Sequence, residues 1–153
     1  MDVEKLKKEI NSGAEIEEVL EDVNWQEFEQ TVSGLFEKHQ YNVETNVWFT
    51  LDRRFEVDVI AEKFEEILCI DCKKWGMRKG KTTALKYAVN DQIKRAEAFK
   101  QYSKKKKEIY PILVTFLEEN IIFEKNVPIV PVWRLNSFLL NFQKYKEKLR
   151  VCK

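Results

Sequence analysis

Two carboxylates, Asp58 and Asp71, and a lysine, Lys73, interrupt a run that otherwise alternates like paired β-strands, "RRFEVDVIAEKFEEILCIDCKKW" from Arg53 to Trp75. Carboxylates set side by side repel one another unless a divalent cation or a lysine lies between them, so this grouping has the makings of a cation site. The only break between the apolar runs is Lys63-Phe64-Glu65-Glu66, which predicts a tight antiparallel hairpin centred between Phe64 and Glu65. That register sets Ile60 opposite Cys69, Asp58 opposite Asp71 and Glu56 opposite Lys73, gathering charge at the end far from the turn. Val57, Val59 and Ala61, opposite Cys72, Ile70 and Leu68, are expected on one apolar face resting on the core.

The flanking elements must position that cluster. Val3 to Val23 alternates charged and aliphatic residues around "NSGAE" and reads as an N-terminal helical arm over residues 1–23, ahead of a core domain at residues 24–153. Asn24 is the expected N-cap of a helix from Trp25 to about Gln40 with an apolar stripe of Trp25, Phe28, Val32, Leu35 and Phe36. Glu29 lies inside that stripe, either as an edge residue reaching water or as a carboxylate kept for chemistry. Tyr41 to Leu51 reads as a first strand, followed by the hairpin and then by a basic loop, "KKWGMRKGKTT".

A second helix, about Thr83 to Tyr102, carries the stripe Leu85, Val89, Gln92, Ala96 and Phe99, so Gln92 is a polar exception on a core-facing side. "SKKKKE" reads as a solvated helix end answering the helix dipole. "YPILVTFL" and "VPIVPVW" read as buried strands, with Pro111, Pro128 and Pro131 marking edges or strand starts. A last helix is expected from about Leu135 to Leu149. The order implies an α/β layer fold on a mixed sheet.

Composition bounds the function. Lys and Arg number 27 against 26 Asp and Glu, so any nucleic-acid surface must come from local patches rather than from net charge. The three cysteines, an odd count, fit a reducing compartment, and Cys69 and Cys72 point to opposite faces of a strand, so they cannot grip zinc together. The charged opening "MDVEKLKKEI" and the lack of a long apolar run imply a soluble, cytoplasmic protein with no membrane partner.

An acid in the first core helix, a lone Asp ending one strand, Asp-x-Lys in the next and a Gln-bearing helix after it resemble the PD-(D/E)xK nuclease superfamily, closest to Mrr-type restriction endonucleases and archaeal Holliday-junction resolvases. "WQEFEQTVSGLFEKHQYNV" is similar to that family's first helix and strand, "EVDVIA" to its metal-binding Asp segment, "IDCKKW" to its D/E-x-K pair and "DQIKRAEAF" to its following helix. Val57 stands where the signature has Pro, and Asp71 where Glu is more frequent. The resemblance implies a restriction-endonuclease-like three-layer fold, a central mixed sheet of about five strands between helices.

The same resemblance implies catalysis by Asp58, Asp71, Lys73, Glu29 and Gln92, with the metal held by Asp58, Asp71, the Cys72 backbone carbonyl and, through water, Glu29. Oxygen ligands of this kind suit Mg²⁺, with Mn²⁺ able to substitute. Lys73 would orient the attacking water or stabilise charge on the phosphorane, Gln92 would fix Lys73 or the water, and Glu56 is expected to pair with Lys73 rather than to ligate. DNA, duplex or branched, would be met by Arg53, Arg54, Lys74, Arg78, Lys79 and Lys81, contacting phosphates without reading sequence. Trp75 would either stack on a base or close the core. A homodimer fits cutting of two strands. The competing readings are an inactive nucleic-acid-binding module of the same fold and a domain whose charged cluster is a structural ion pair.

Overall fold

A computed structural model describes residues 24–73, 82–115 and 120–152, together with Lys8. The arm expected at residues 1–23, Lys8 apart, the basic residues Lys74, Arg78, Lys79 and Lys81, and Trp75 lie outside the described residues.

Helix α1 (Trp25–Lys38) begins where Asn24 Oδ1 accepts the amides of Gln26 and Glu27 at 2.9 and 3.2 Å, satisfying two donors that the first turn leaves free. It ends where Gln40 takes a left-handed φ of 66°, turning the chain into β1 (Asn42–Thr50). β2 (Arg54–Lys63) and β3 (Glu66–Lys73) form the expected hairpin, and Ile60 faces Cys69 as the turn position requires. Phe64 turns the chain with φ 54°, a conformation strained for an aromatic residue, and its ring is exposed.

After β3 comes α2 (Thr82–Ser103), then β4 (Glu108–Thr115), β5 (Ile122–Glu124) and β6 (Val127–Pro131). The strands form one sheet in the order β1-β2-β3-β4-β6-β5, six rather than about five. The addition is β5, paired antiparallel with β6 across a two-residue turn in which Lys125 and Asn126 both have positive φ, the geometry that matches strand twist. β4 runs parallel to β3 and to β6, so the sheet is mixed. No helix among the described residues is long and apolar enough to cross a membrane.

Pro111 lies inside β4, between β3 and β6, instead of at an edge or a strand start. Ile109 bonds Cys152 in both directions, and pairing with β6 begins only at Leu113. The amide that proline lacks would therefore point into the gap between those two partners, where no ladder bond is forfeited.

The single C-terminal helix that the sequence predicts is broken into a 3₁₀ turn at Val132–Arg134, α3 (Leu135–Leu140), α4 (Phe142–Tyr145) and a second 3₁₀ turn at Lys146–Lys148. Asn141 interrupts it by donating its own side-chain amide to the Ser137 carbonyl at 2.9 Å.

Helices cover both faces. On one, Phe28, Val32 and Phe36 of α1 and Phe138 and Phe142 pack on Val59, Ala61, Leu68, Ile70 and Cys72. On the other, Ala96 and Phe99 of α2 pack on Ile60, Ile67, Cys69 and Ile109, while Leu85, Val89 and Ile93 meet Leu113, Val127 and Ile129. Phe28, Val32 and Phe36 are fully buried, each stabilising the α1 layer by about 1.5–3 kcal/mol.

Val57 breaks the expected alternation. It joins Phe49, Phe55 and Ile60 on the α2 side, whereas Val59 and Ala61 lie on the α1 side. Strict period two would keep all three on one face. The exchange falls at Asp58, where the β1–β2 ladder passes from Thr45–Val59 to Val47–Val57 without a pair between them. Opposite it, Asn46 has φ 51°, so both strands change face together and the register survives.

Candidate active site

At the end far from the hairpin turn, β2 and β3 separate. Their ladder stops at Val59–Ile70, so Asp58 and Asp71 are not a cross-strand pair in the way the simple register implies. In place of a β2 backbone carbonyl, the Asp58 side chain bonds the next free amide, with Oδ2 accepting Cys72 N–H at 2.9 Å. A residue in extended conformation sends N–H and C=O to the same edge, so the Cys72 carbonyl also faces the gap beside Asp58. β3 itself stays straight, pairing with β4 through Lys73–Thr115.

Into this gap opens a cleft lined by Trp25, Glu56, Asp58, Asp71, Cys72, Lys73 and Arg95. Asp71 is buried, and its Oδ2 accepts no hydrogen bond, although Lys73 Nζ at 3.2 Å and Arg95 Nη1 at 3.6 Å face it as ionic partners. The expected Glu56–Lys73 pair is replaced by Lys73–Asp71, because both side chains leave β3 on the same face two residues apart.

The carboxyl of Asp58 is pushed up to about 7, first by burial and then by the charge of Asp71, against which it lies closely enough to share a proton. Its hydrogen bond from Cys72 only partly offsets the rise. Glu29, on α1, is also raised, by burial first and by Glu56 second, and it is held by a hydrogen bond with Trp25. Glu29 itself does not line the cleft and reaches it through Trp25 and Glu56.

The donor set suits a hard divalent cation. It offers two carboxylates, one with a buried oxygen that no hydrogen bond satisfies, and a carbonyl edge, while burial holds the Cys72 thiol well above its usual range and on the α1 side of the sheet. Among the described residues no three His, Cys, Asp or Glu side chains converge on one point, so the side-chain ligands in place are the Asp58–Asp71 pair.

Gln92 is fully buried on α2, and its amide does not reach Lys73: Nε2 donates to the Cys69 carbonyl at 2.8 Å, and Oε1 accepts from Arg95 at 3.3 Å. Arg95 is the residue that sequence reasoning missed. The available signal was its place three residues after Gln92, on the same side of α2. Arg53 and Arg54 stand away from the cleft, with guanidinium groups 4.4 Å above Phe55 and 3.7 Å above Trp48.

Residues 20–113 match the Mrr_cat family of restriction endonuclease domains. An uncharacterized protein of Archaeoglobus fulgidus is 29% identical over 124 residues, covering 80% of this chain and 95% of that relative. The small subunit of the heterodimeric restriction endonuclease R.BspD6I shares the fold, with a TM-score of 0.51 at 18% identity, over 88% of this chain and 78% of that one. A protein of unknown function, 21% identical, aligns over 58% of this chain with a TM-score of 0.43, and this chain spans 46% of its length.

Proposed function

This chain belongs to the Mrr-type restriction endonuclease family of the PD-(D/E)xK nuclease superfamily, and from that premise we propose that it is a Mg²⁺-dependent DNA endonuclease hydrolysing phosphodiester bonds in restriction, repair or recombination. The observation that carries the proposal is the Asp58–Asp71 pair at the point where β2 and β3 separate, beside the cationic Lys73. Asp71 Oδ2 is buried and meets Lys73 and Arg95 as ionic partners with no hydrogen bond of its own, and a bound cation would satisfy that remaining demand.

Asp58, Asp71 and the Cys72 carbonyl would hold the metal. When bound, Mg²⁺ neutralises phosphate charge and makes a water more acidic, and Mn²⁺ supplies the same chemistry. Glu29, held by its hydrogen bond with Trp25, would hold a water beside the cleft. Lys73 keeps a cation within reach of both Asp71 and an incoming phosphate. Gln92 is a positioning residue that ties α2 to the β3 backbone.

Arg53, Arg54, Lys74, Arg78, Lys79 and Lys81 would contact DNA phosphates, in a nuclease domain at residues 24–153 preceded by an arm at residues 1–23. A cytoplasmic protein acting as a homodimer on duplex or branched DNA completes the reading. The test is incubation with supercoiled plasmid, a branched DNA and RNA, each with Mg²⁺, Mn²⁺ or EDTA. Cleavage of DNA that EDTA abolishes is the expected result. DNA binding without cleavage in either metal would instead indicate an inactive binding module.

A further inference from the structure

Resting on the hydrolytic reading above, we propose that Arg95 binds a non-bridging oxygen of the scissile phosphate, as a second cationic group beside Asp71 with Lys73. Arg95 lies in the cleft wall with Asp58, Asp71 and Lys73, and its side chain is 26% exposed, enough to meet a ligand. It is held by a built support. Gln92, fully buried, is fixed by its bond to the Cys69 carbonyl and accepts Arg95 Nη1 with its other end.

Arg95 reaches Gln92 at 3.3 Å and Asp71 at 3.6 Å with the same nitrogen, Nη1. Among the described residues no hydrogen bond or ion pair engages Nε or Nη2, which leaves that edge of the guanidinium for a ligand. A guanidinium presents its donors as a planar fork that matches two phosphate oxygens, which a lysine cannot do. The Asp71 approach is longer than a hydrogen bond, so it centres charge on the cleft without consuming the fork. Gln92 thereby acquires a purpose for its burial: it aims Arg95 rather than touching the reacting groups.

The experiment compares wild type, Arg95→Ala and Arg95→Lys in single-turnover plasmid cleavage at saturating DNA with Mg²⁺, and titrates Mg²⁺ without DNA by thermal melting. Arg95→Ala should cleave about 100-fold more slowly. Arg95→Lys, which keeps the charge beside Asp71 and so preserves the fold, should recover less than a tenth of that loss. Without DNA, Arg95→Ala should bind Mg²⁺ more tightly than wild type, because a competing positive charge has left Asp71. Cleavage by Arg95→Ala or Arg95→Lys within about twofold of wild type overturns the role of Arg95 and leaves the nuclease reading standing. Weaker Mg²⁺ binding in Arg95→Ala also overturns it, marking Arg95 as mere support for Asp71. A wild-type protein that cleaves no DNA removes the nuclease reading, and the role of Arg95 with it.

Discussion

Asp58 Oδ2 accepts the backbone amide of Cys72 at 2.9 Å at the point where β2 and β3 have ceased to pair. One side chain thus closes the ladder and opens the cleft, and its ionisation affects both.

The first prediction concerns pH. Asp58 holds its proton more tightly in the folded chain, up to about 7, than in the unfolded one at 3.8. Between those values the native state binds more protons, so stability falls as pH rises from about 4 to 7 and is level above that. Asp58→Asn removes the charge and keeps an acceptor for Cys72 N–H. At pH 8 in EDTA it should therefore be more stable than wild type by roughly 1–3 kcal/mol, the gain shrinking toward pH 4. Urea unfolding at pH 5 and pH 8 measures this, and identical pH dependence in the two proteins contradicts it.

Adding Mg²⁺ at pH 8 should raise the melting midpoint. Saturation at 10 to 100 times the dissociation constant stabilises by about 1.4–2.7 kcal/mol. The gain should be smaller at pH 5, where a proton on Asp58 competes, and absent in Asp71→Asn. A shift of equal size in Asp71→Asn would place the cation elsewhere.

Cleavage should rank the acids. Asp71→Asn should abolish it with the fold intact, since the substitution relieves a buried like-charge repulsion. Glu29→Gln should lose less than Asp58→Asn, because Glu29 stands behind Trp25 and Glu56 rather than in the cleft wall. Single-turnover rates of the three variants decide the order.

Much of this arrangement was legible in the sequence, and the parts that were not have identifiable causes. The β2–β3 register followed from a two-residue turn between apolar runs, and Gln92 stood out as a polar residue in an apolar stripe. The exchange of faces at Asp58 was hidden because alternation assumes an uninterrupted ladder, and only the left-handed backbone of Asn46 reveals the interruption. Arg95 was hidden because a charged residue on a helix ordinarily signals solvent. Pro111 misled because a central strand tolerates proline only where a neighbour is missing, a fact of topology.

For DNA binding, Lys74, Arg78, Lys79 and Lys81 changed together to Ala should reduce the slope of log affinity against log salt by roughly 0.9 for each phosphate left without its cation. Turnover at saturating DNA should scarcely change. An unchanged slope would move the DNA path elsewhere, for instance to Lys104 to Lys107, where Lys105 and Lys107 already spend charge on Glu62.

The left-handed turn of Asn46 falls on β1, the outermost strand of the sheet. Among the described residues no strand pairs with the outer edge of this nine-residue strand, and an open edge is a template on which other chains can extend a sheet into aggregates. Where Asn46 twists out of line, the row of outward amides and carbonyls loses its regular spacing, so an incoming straight strand finds only short stretches to match. The same distortion that swings Asp58 toward the cleft therefore guards the protein against sticking to itself, and straightening it for a tidier sheet would expose a surface prone to fibril growth.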